Sequence, residues 1–234
     1  MCLLNEVYRW YARESVPESA RESVPESLKH AKNLHRWEAC QHRDFAKETA
    51  FWEELSALAP EFAMKDWTDA SSCCVEYKWL LHENQPLFDD DTELMAALGG
   101  LRRDLYLFVS ILAPYYVMFA EKTTLAEDGT WMFETIEPSD KATVRLMDGI
   151  QALLGQKGFT RLSREQAAQV VPDVETELRE AGSATVFDCL FSDLDRAWIA
   201  DVAEQNGKKI TKKHLTNVLQ CDIIKKLCTM LNCI

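Results

Sequence analysis

The residue types in this chain that could do chemistry are acidic side chains, histidines and cysteines. The acidic side chains stand out in two runs, one near residue 90 and one near residue 194: Asp89, Asp90, Asp91, Glu93, Asp193 and Asp195. The first run lacks the glycine and the final glutamate of an EF-hand loop, so it does not predict a calcium site. Acidic residues on loops between elements are typical of surfaces that bind basic proteins. We therefore predict that these six residues bind a protein partner.

Histidines suggest a second candidate, a metal site. His35, Glu38 and His42 follow one another at i, i+3 and i+7, which places them on one face of a helix. A stable zinc or di-iron site needs further protein ligands, and the chain contains no second His/Glu pair of this kind. We interpret this face as a polar surface and predict neither a metal nor a cofactor.

The cysteines do not form a recognisable redox or zinc motif. The chain has eight of them, Cys73 and Cys74 are adjacent, and no C-x-x-C occurs. The first residues also lack the basic and then apolar order of a secretory signal peptide. We therefore expect a cytoplasmic protein whose thiols are reduced and act as small apolar side chains.

Catalytic motifs do not stand out either. The chain contains no G-x-S-x-G, no H-E-x-x-H and no kinase signature. Cys189 could pair with a histidine, but a chain with eight cysteines and five histidines offers such pairs by composition alone. An enzyme without a recognisable motif, either a hydrolase or a transferase, stays open as an alternative.

The overall charge narrows the kind of partner. The 234 residues carry a formal net charge of −12, and 47% of them are hydrophobic. Nucleic-acid binding needs clustered lysine and arginine, so the composition disfavours it and is compatible with a basic protein partner. A membrane span needs about 20 apolar residues. The longest apolar run, at 105–120, is shorter and contains Pro114, so we predict no span.

That apolar run must form the centre of the fold. Tyr106, Phe108, Val109 and Tyr116 represent its many β-branched and aromatic residues, which favour strands over a helix. We predict two central strands, at about 104–112 and 115–122, with Ala113-Pro114 as a turn, bulge or edge position. Both faces of these strands read as apolar, so other elements must cover both.

Two more strands follow from alternation and turn chemistry. Residues 73–82 alternate, which predicts a half-buried strand with Glu76 and Lys78 on its outer face. Glu127-Asp128-Gly129 predicts a turn into a further strand at 131–136. Residues 184–191 have strand character but could equally begin a helix.

Helices are predicted around this sheet from caps and apolar periodicity. The predicted spans are 3–12, a long segment from the N-cap Ser27 to residue 59 that forms one helix or two joined near 41–44, a short helix from Asp91 or Thr92 to Leu98, 138–154, Ser163 to about Val171, and 174–180. Ser163 followed by Gln166 is a capping box.

Two segments differ from the rest of the chain. Residues 12–19 and 20–27 both read ARESVPES, and prolines in each copy exclude one continuous helix, so we predict a surface loop at 12–27. From Ala200 onward the chain has six lysines, no arginine and three acidic residues. We predict a single domain at 1–199 and a lysine-rich helical tail at 200–234, which is docked on the domain, binds a partner or is an accident of the coding frame.

The middle of the chain resembles a known class of proteins. The stretch GGLRRDLYLFVSILAPYYVMF, the tryptophan-containing strand after it and the segment GFTRLSREQAAQVVPDVETELREAGSATVFDCLFSD resemble the small acidic immunity proteins of bacterial polymorphic-toxin systems. This resemblance covers about residues 60–195. It implies a helix-flanked antiparallel sheet with an acidic or aromatic face that blocks a cognate toxin.

Together these features predict an α+β fold with a four- to five-stranded, largely antiparallel sheet covered by helices. The expected function is that of a non-enzymatic binding protein which neutralises a toxin by occlusion. The alternatives are the enzyme named above and a structural subunit that assembles through its C-terminal helix.

Overall fold

The computed structural model describes residues 3–13, 26–42, 45–69, 72–85, 91–126, 128–192 and 198. Its helices are α1 (Leu3–Trp10), α2 (Glu26–Gln41), α3 (Phe45–Ser56), α4 (Asp91–Ala97), α5 (Lys141–Gln156), α6 (Arg164–Ala167) and α7 (Val186–Leu190). Its strands are β1 (Ala63–Asp66), β2 (Cys74–Leu80), β3 (Leu101–Ser110), β4 (Tyr115–Leu125), β5 (Trp131–Ile136) and β6 (Thr160–Arg161). The predicted strands correspond to β2, β3, β4 and β5.

These strands form one sheet in the order β1-β2-β3-β4-β5, with every neighbouring pair antiparallel. The two-residue strand β6 pairs with the start of β4 in parallel. The α+β fold with a largely antiparallel sheet is therefore confirmed. Sequence patterns missed β1 and β6, because both are too short to show a period of two.

The central hairpin turns where the proline predicted it. Pro114 lies in the connection between β3 and β4, so its missing N–H costs the ladder no hydrogen bond. The hydroxyl of Ser110 closes the connection by accepting from the N–H groups of Leu112 and Ala113. The same hydroxyl donates to the carbonyl oxygen of Leu190 at 2.7 Å, which joins the hairpin to α7.

One face of the sheet, the α5 face, has an apolar core packed against α3 and α5. Alternate residues of the central strands point to it, among them Tyr77, Trp79, Leu105, Leu107 and Met118. They meet Leu55 of α3 and the stripe of α5 formed by Leu146, Ile150 and Leu154. This stripe repeats at i, i+4 and i+8, which is the helical period that the sequence predicted.

The opposite face, the α7 face, is covered by α1, α2 and the chain around α6 and α7. Phe108, Val117 and Phe119 point to it and pack with Phe187 of α7. Trp198 stacks on Phe119 with ring centroids 4.5 Å apart. Both faces of β3 and β4 are thus buried, which explains why their sequence reads as a nearly continuous apolar run.

Strand β2 corrects one prediction. Glu76 and Lys78 are buried on the α7 face, so the strand is covered on both sides and is not half-buried. The alternation of residue types assigns the two faces of β2 correctly, but it does not tell whether the polar face meets solvent or other charges.

The helices after α5 are shorter than predicted. The capping box of Ser163 and Gln166 is present, but α6 ends at Ala167 and does not reach Val171. Residues 174–180 form no helix. The Val171 N–H donates to the Ala184 carbonyl at 2.8 Å, so the backbone there is bonded to the segment before α7 and not to a preceding helical turn.

Residues 186–190 are helical, which decides between the two open readings of 184–191. Thr185 caps α7 by accepting from the Asp188 N–H, and the Asp188 carboxylate accepts from the Thr185 N–H at 2.7 Å. A single antiparallel bridge between Val170 and Thr185 gives the segment its remaining strand character.

The long N-terminal helical segment consists of two helices, α2 and α3, as one of the two open readings had it. Helix α2 begins at Glu26, so Ser27 lies inside its first turn and is not the N-cap.

Residues 14–25 of the repeat and the tail at 200–234 lie outside the described residues, so their predictions stay predictions. In the described part of the chain, no helix combines the length and apolar content required to cross a bilayer.

Candidate functional site

The predicted partner-binding residues are only partly described. Asp91 is the first residue of α4, and Glu93 lies exposed in the same helix. The other four predicted residues lie outside the described residues: Asp89, Asp90, Asp193 and Asp195. The helix that begins at Asp91 agrees with the sequence reading, while the binding role of all six residues stays a prediction.

A more clearly defined surface lies along β5, the outer strand beyond β4. In the described part of the chain, β5 pairs with β4 on one side and with no strand on the other. Met132 and Phe133 lie on opposite faces of this strand, and their exposed fractions are 53% and 48%. Most proteins shield an outer strand that carries apolar side chains, so an exposed one is a candidate for pairing with another chain.

Acidic side chains surround these two apolar residues. Glu134 and Glu137 are exposed beside them, and Glu134 forms an ion pair with Lys122 of β4. Asp128 is exposed at the turn before β5, where the Thr130 N–H donates to it at 2.9 Å. This backbone hydrogen bond lowers the pKa of Asp128. The turn therefore carries a negative charge at neutral pH.

Beyond the end of β5, the surface carries charged side chains of both signs. An open depression there is lined by Glu61, Glu83, Asp140, Lys141, Ala142 and Arg145. Burial raises the pKa of Asp140, but the Thr143 backbone N–H and the charge of Arg103 outweigh it, so that the pKa is lowered. Arg145 pairs with Glu61. We call β5 with its acidic flanks at Asp128, Glu134 and Glu137 the β5 surface.

Next to this surface, a row of buried charges crosses the α7 face of the sheet from β2 to β4. The Asp104 carboxylate accepts from Arg102 Nε at 2.7 Å, and Lys78 Nζ lies 3.3 Å from the same oxygen, Oδ2. Lys78 Nζ is also 5.2 Å from the ring centroid of Tyr106, within the range of a cation–π contact. Glu121 of β4 lies directly opposite Asp104 of β3 in the register of the two strands. We call Lys78, Arg102, Asp104 and Glu121 the charged strip.

Two atoms at this strip have no hydrogen-bond partner among the described residues. They are Oδ1 of Asp104 and Oγ1 of Thr123, and both side chains are fully buried. In the strand register, Thr123 of β4 lies opposite Arg102 of β3 on one side and opposite Phe133 of β5 on the other. The unpartnered atoms thus lie one and two strands in from the β5 surface, where a polar group that reached them would gain hydrogen bonds.

The described residues do not assemble a metal centre. No three histidine, cysteine, aspartate or glutamate side chains within them converge as metal ligands. The ring of His35 stacks on Trp10 at 4.8 Å between centroids, which uses this histidine for packing. Burial lowers the pKa of His82, whose Nε2 accepts from the Arg103 N–H.

Sequence reasoning missed both features of this region. The predicted strands at about 104–112 and 115–122 contain Asp104 and Glu121, but the sequence analysis does not predict that these charges are buried. The signal for the charged strip was available, because these charges keep the same period of two as the apolar residues next to them. The exposure of Met132 and Phe133 had no signal, since only the sheet order makes β5 an outer strand.

No protein-family model, curated protein or solved structure matches this chain.

Proposed function

We propose that this chain is an immunity protein: a non-enzymatic, cytoplasmic binding protein that neutralises a cognate bacterial toxin by occlusion. The partner is a basic protein domain. The chain uses no cofactor and does not bind nucleic acid directly.

The observation that carries this proposal is the β5 surface. Two large apolar side chains, Met132 and Phe133, stand exposed on an outer strand between acidic residues. Aromatic and methionine side chains are enriched in protein interfaces and provide much of the binding free energy. The surrounding carboxylates favour a basic partner over a neutral one, in agreement with the net charge of −12.

The six acidic residues predicted from sequence have a second role in this proposal. Asp89, Asp90, Asp91, Glu93, Asp193 and Asp195 attract the basic partner from a distance and speed its encounter with the chain. The apolar residues of β5 then slow its dissociation. The two groups of residues should therefore affect different rate constants.

The test uses the product of the reading frame that adjoins this gene as the toxin. That product is expressed in a bacterial host with and without this chain, and colony survival is counted. Binding of the two purified proteins is measured by surface-binding kinetics. We expect this chain to restore growth and to bind the product directly.

The decisive variant is Met132→Ser with Phe133→Ser. The matched control is Leu34→Ser with Trp37→Ser, an exposed apolar pair on α2, which packs over the α7 face. Loss of a hot-spot side chain costs about 2 kcal/mol or more, which is about 30-fold in Kd. We expect such a loss for the β5 variant and a change below about threefold for the control. Equal effects of both variants would exclude β5 as the interface.

The acidic run is tested separately by reversing Asp89, Asp90 and Asp91 to lysine. We expect the association rate to fall by about tenfold at low salt and its salt dependence to weaken, with the dissociation rate unchanged. Circular dichroism checks the fold. An unchanged association rate would remove this run from the proposal.

Turnover of a small molecule by the pure protein, without any protection from the toxin, would overturn the whole proposal.

A further inference from the structure

Four of the cysteines lie among the described residues, and all four are buried in the core of the α7 face. Cys74 and Cys189 are completely buried. Cys40 and Cys73 retain small exposed fractions of 6% and 9%. The sulfur atoms of Cys40 and Cys73 are 3.6 Å apart, although 33 positions separate them in the sequence. These two thiols are therefore in direct contact.

The surrounding structure holds both sulfur atoms in place. Cys40 lies in the last turn of α2, and Cys73 precedes the first residue of β2. The backbone of Cys73 is fixed on both sides: its N–H donates to the Phe191 carbonyl at 3.0 Å, and its carbonyl accepts from the Ile111 N–H at 3.0 Å. The contact thus joins the last turn of α2 to the start of β2.

We propose that Cys40 and Cys73 are a disulfide-forming pair, which peroxides oxidise and small thiols reduce. In the first step, one thiol loses its proton and the thiolate attacks a peroxide oxygen. The O–O bond breaks, the sulfur becomes a sulfenic acid, and the hydroxide that leaves takes up the released proton and becomes water. In the second step, the other thiolate attacks the oxidised sulfur, the S–S bond forms, and the second oxygen leaves as water after taking up a proton. Two thiols lose two electrons, and one peroxide gains them.

The environment of the pair predicts a slow reaction. The hydrogen bond with Cys40, together with burial, raises the pKa of the Cys73 thiol, and the Arg36 guanidinium opposes this shift. Only the thiolate reacts, so the rate should rise with pH. This inference does not depend on the proposed function, because it uses neither the β5 surface nor a partner.

The disulfide would close a loop that contains α3 and β1. Helix α3 packs on the α5 face, while α2 and Cys73 belong to the α7 layer. The bond would therefore restrict the unfolded chain over more than 30 residues and hold α2 against the sheet. A loop of this length predicts a Tm increase of about 7 to 15 °C.

The experiment uses the full chain, reduced and then treated with hydrogen peroxide at pH 8. Remaining thiols are alkylated, and the peptides are mapped by mass spectrometry without reduction. We expect one dominant cross-linked peptide that joins Cys40 to Cys73, formed in the folded protein, together with the higher Tm. Dithiothreitol should reverse both changes.

The variants separate this pair from the other cysteines. Cys40→Ser should abolish the cross-link and the Tm increase, whereas the control Cys189→Ser should retain both. If either variant fails to fold, the peptide map of the wild-type protein is sufficient to test the proposal. A dominant cross-link between other cysteines, a mixture of pairs, or a Cys40–Cys73 bond that forms only in urea would overturn the proposal.

Discussion

The two faces of the central sheet are both buried, but by different means. The α5 face meets two helices through an apolar interface of leucine, isoleucine and aromatic side chains. The α7 face has an apolar part, which packs with α1, α2 and α7, and another part that holds the charged strip. Burial of apolar area stabilises the first face without any requirement for direction. The second face is stable only while each charge keeps its partner.

This difference makes the two faces respond differently to substitution. When a buried apolar side chain is shortened, the protein loses the transfer free energy of the removed atoms and a further amount for the cavity. The neighbouring side chains can fill part of that cavity, which limits the second loss. A buried charge that loses its partner cannot relax in this way, since it has left water and keeps the full desolvation cost. Four predictions test this contrast, from the largest expected effect to the smallest.

The largest effect is expected at the charged strip. Asp104→Ala leaves Lys78 and Arg102 buried without the carboxylate that both contact. We expect a loss of about 3 to 5 kcal/mol in the free energy of unfolding, measured by urea titration.

A variant without any charge in the strip sharpens this test. Lys78→Met, Arg102→Met, Asp104→Leu and Glu121→Leu together replace all four charges of the strip by apolar groups. We expect this quadruple variant to lose less stability than Asp104→Ala alone. A greater loss in the quadruple variant would mean that packing, and not charge, is what stabilises this part of the sheet.

On the α5 face, Ile150→Ala removes a fully buried side chain from the middle of the α5 stripe. The expected loss is about 2 to 5 kcal/mol, with no dependence on salt between 0.05 and 1 M beyond that of the wild type. Val144→Ala, an exposed position on the same helix, is the control and should change stability by no more than about 0.5 kcal/mol. An equal loss in both variants would contradict an apolar core on this side.

An alkaline effect is expected where α1 joins the α7 layer. The Tyr8 hydroxyl donates to Asp173 at 2.7 Å, and Arg13 Nε donates to the same carboxylate at 2.6 Å. Burial, followed by the bond to Asp173, raises the pKa of Tyr8 to about 12. The unfolded chain loses this proton near pH 10 and the folded chain only near pH 12, so stability should fall between these values.

The measurement is the free energy of unfolding at several pH values from 9 to 11.5. We expect the decline above pH 10 to be smaller in Tyr8→Phe than in the wild type, because phenylalanine has no proton to lose. Identical curves for Tyr8→Phe and the wild type would contradict the raised pKa.

The smallest effect is expected at the cap of α6. Ser163→Ala removes the hydroxyl that accepts from the Gln166 N–H at 3.2 Å. The loss should be about 1 kcal/mol by thermal unfolding, as for N-caps in general. Ser163→Asp keeps an acceptor at this position and should retain most of the stability. If Ser163→Asp lost as much stability as Ser163→Ala, the serine would stabilise the protein by some means other than the N-cap.

Local features of the fold could be predicted because neighbouring residues determine them. The strands from Leu101 to Leu125 follow from a long β-branched and aromatic run, and β5 from a turn signal before an apolar strand. The capping box at Ser163 and Gln166 was also visible in the sequence, since both partners lie within four residues. The end of α6 was not, because it depends on how the chain packs after Ala167.

The sequence by itself determined the α+β class, the central hairpin and the demand that both sheet faces be covered. Only the tertiary structure decided that Glu76 and Lys78 are buried, that Met132 and Phe133 stay exposed, and that Cys40 touches Cys73. The physical reason is the same in each case. A side chain's type and period indicate which way it points along its own strand or helix, whereas its burial and its partners depend on elements that are distant in the sequence.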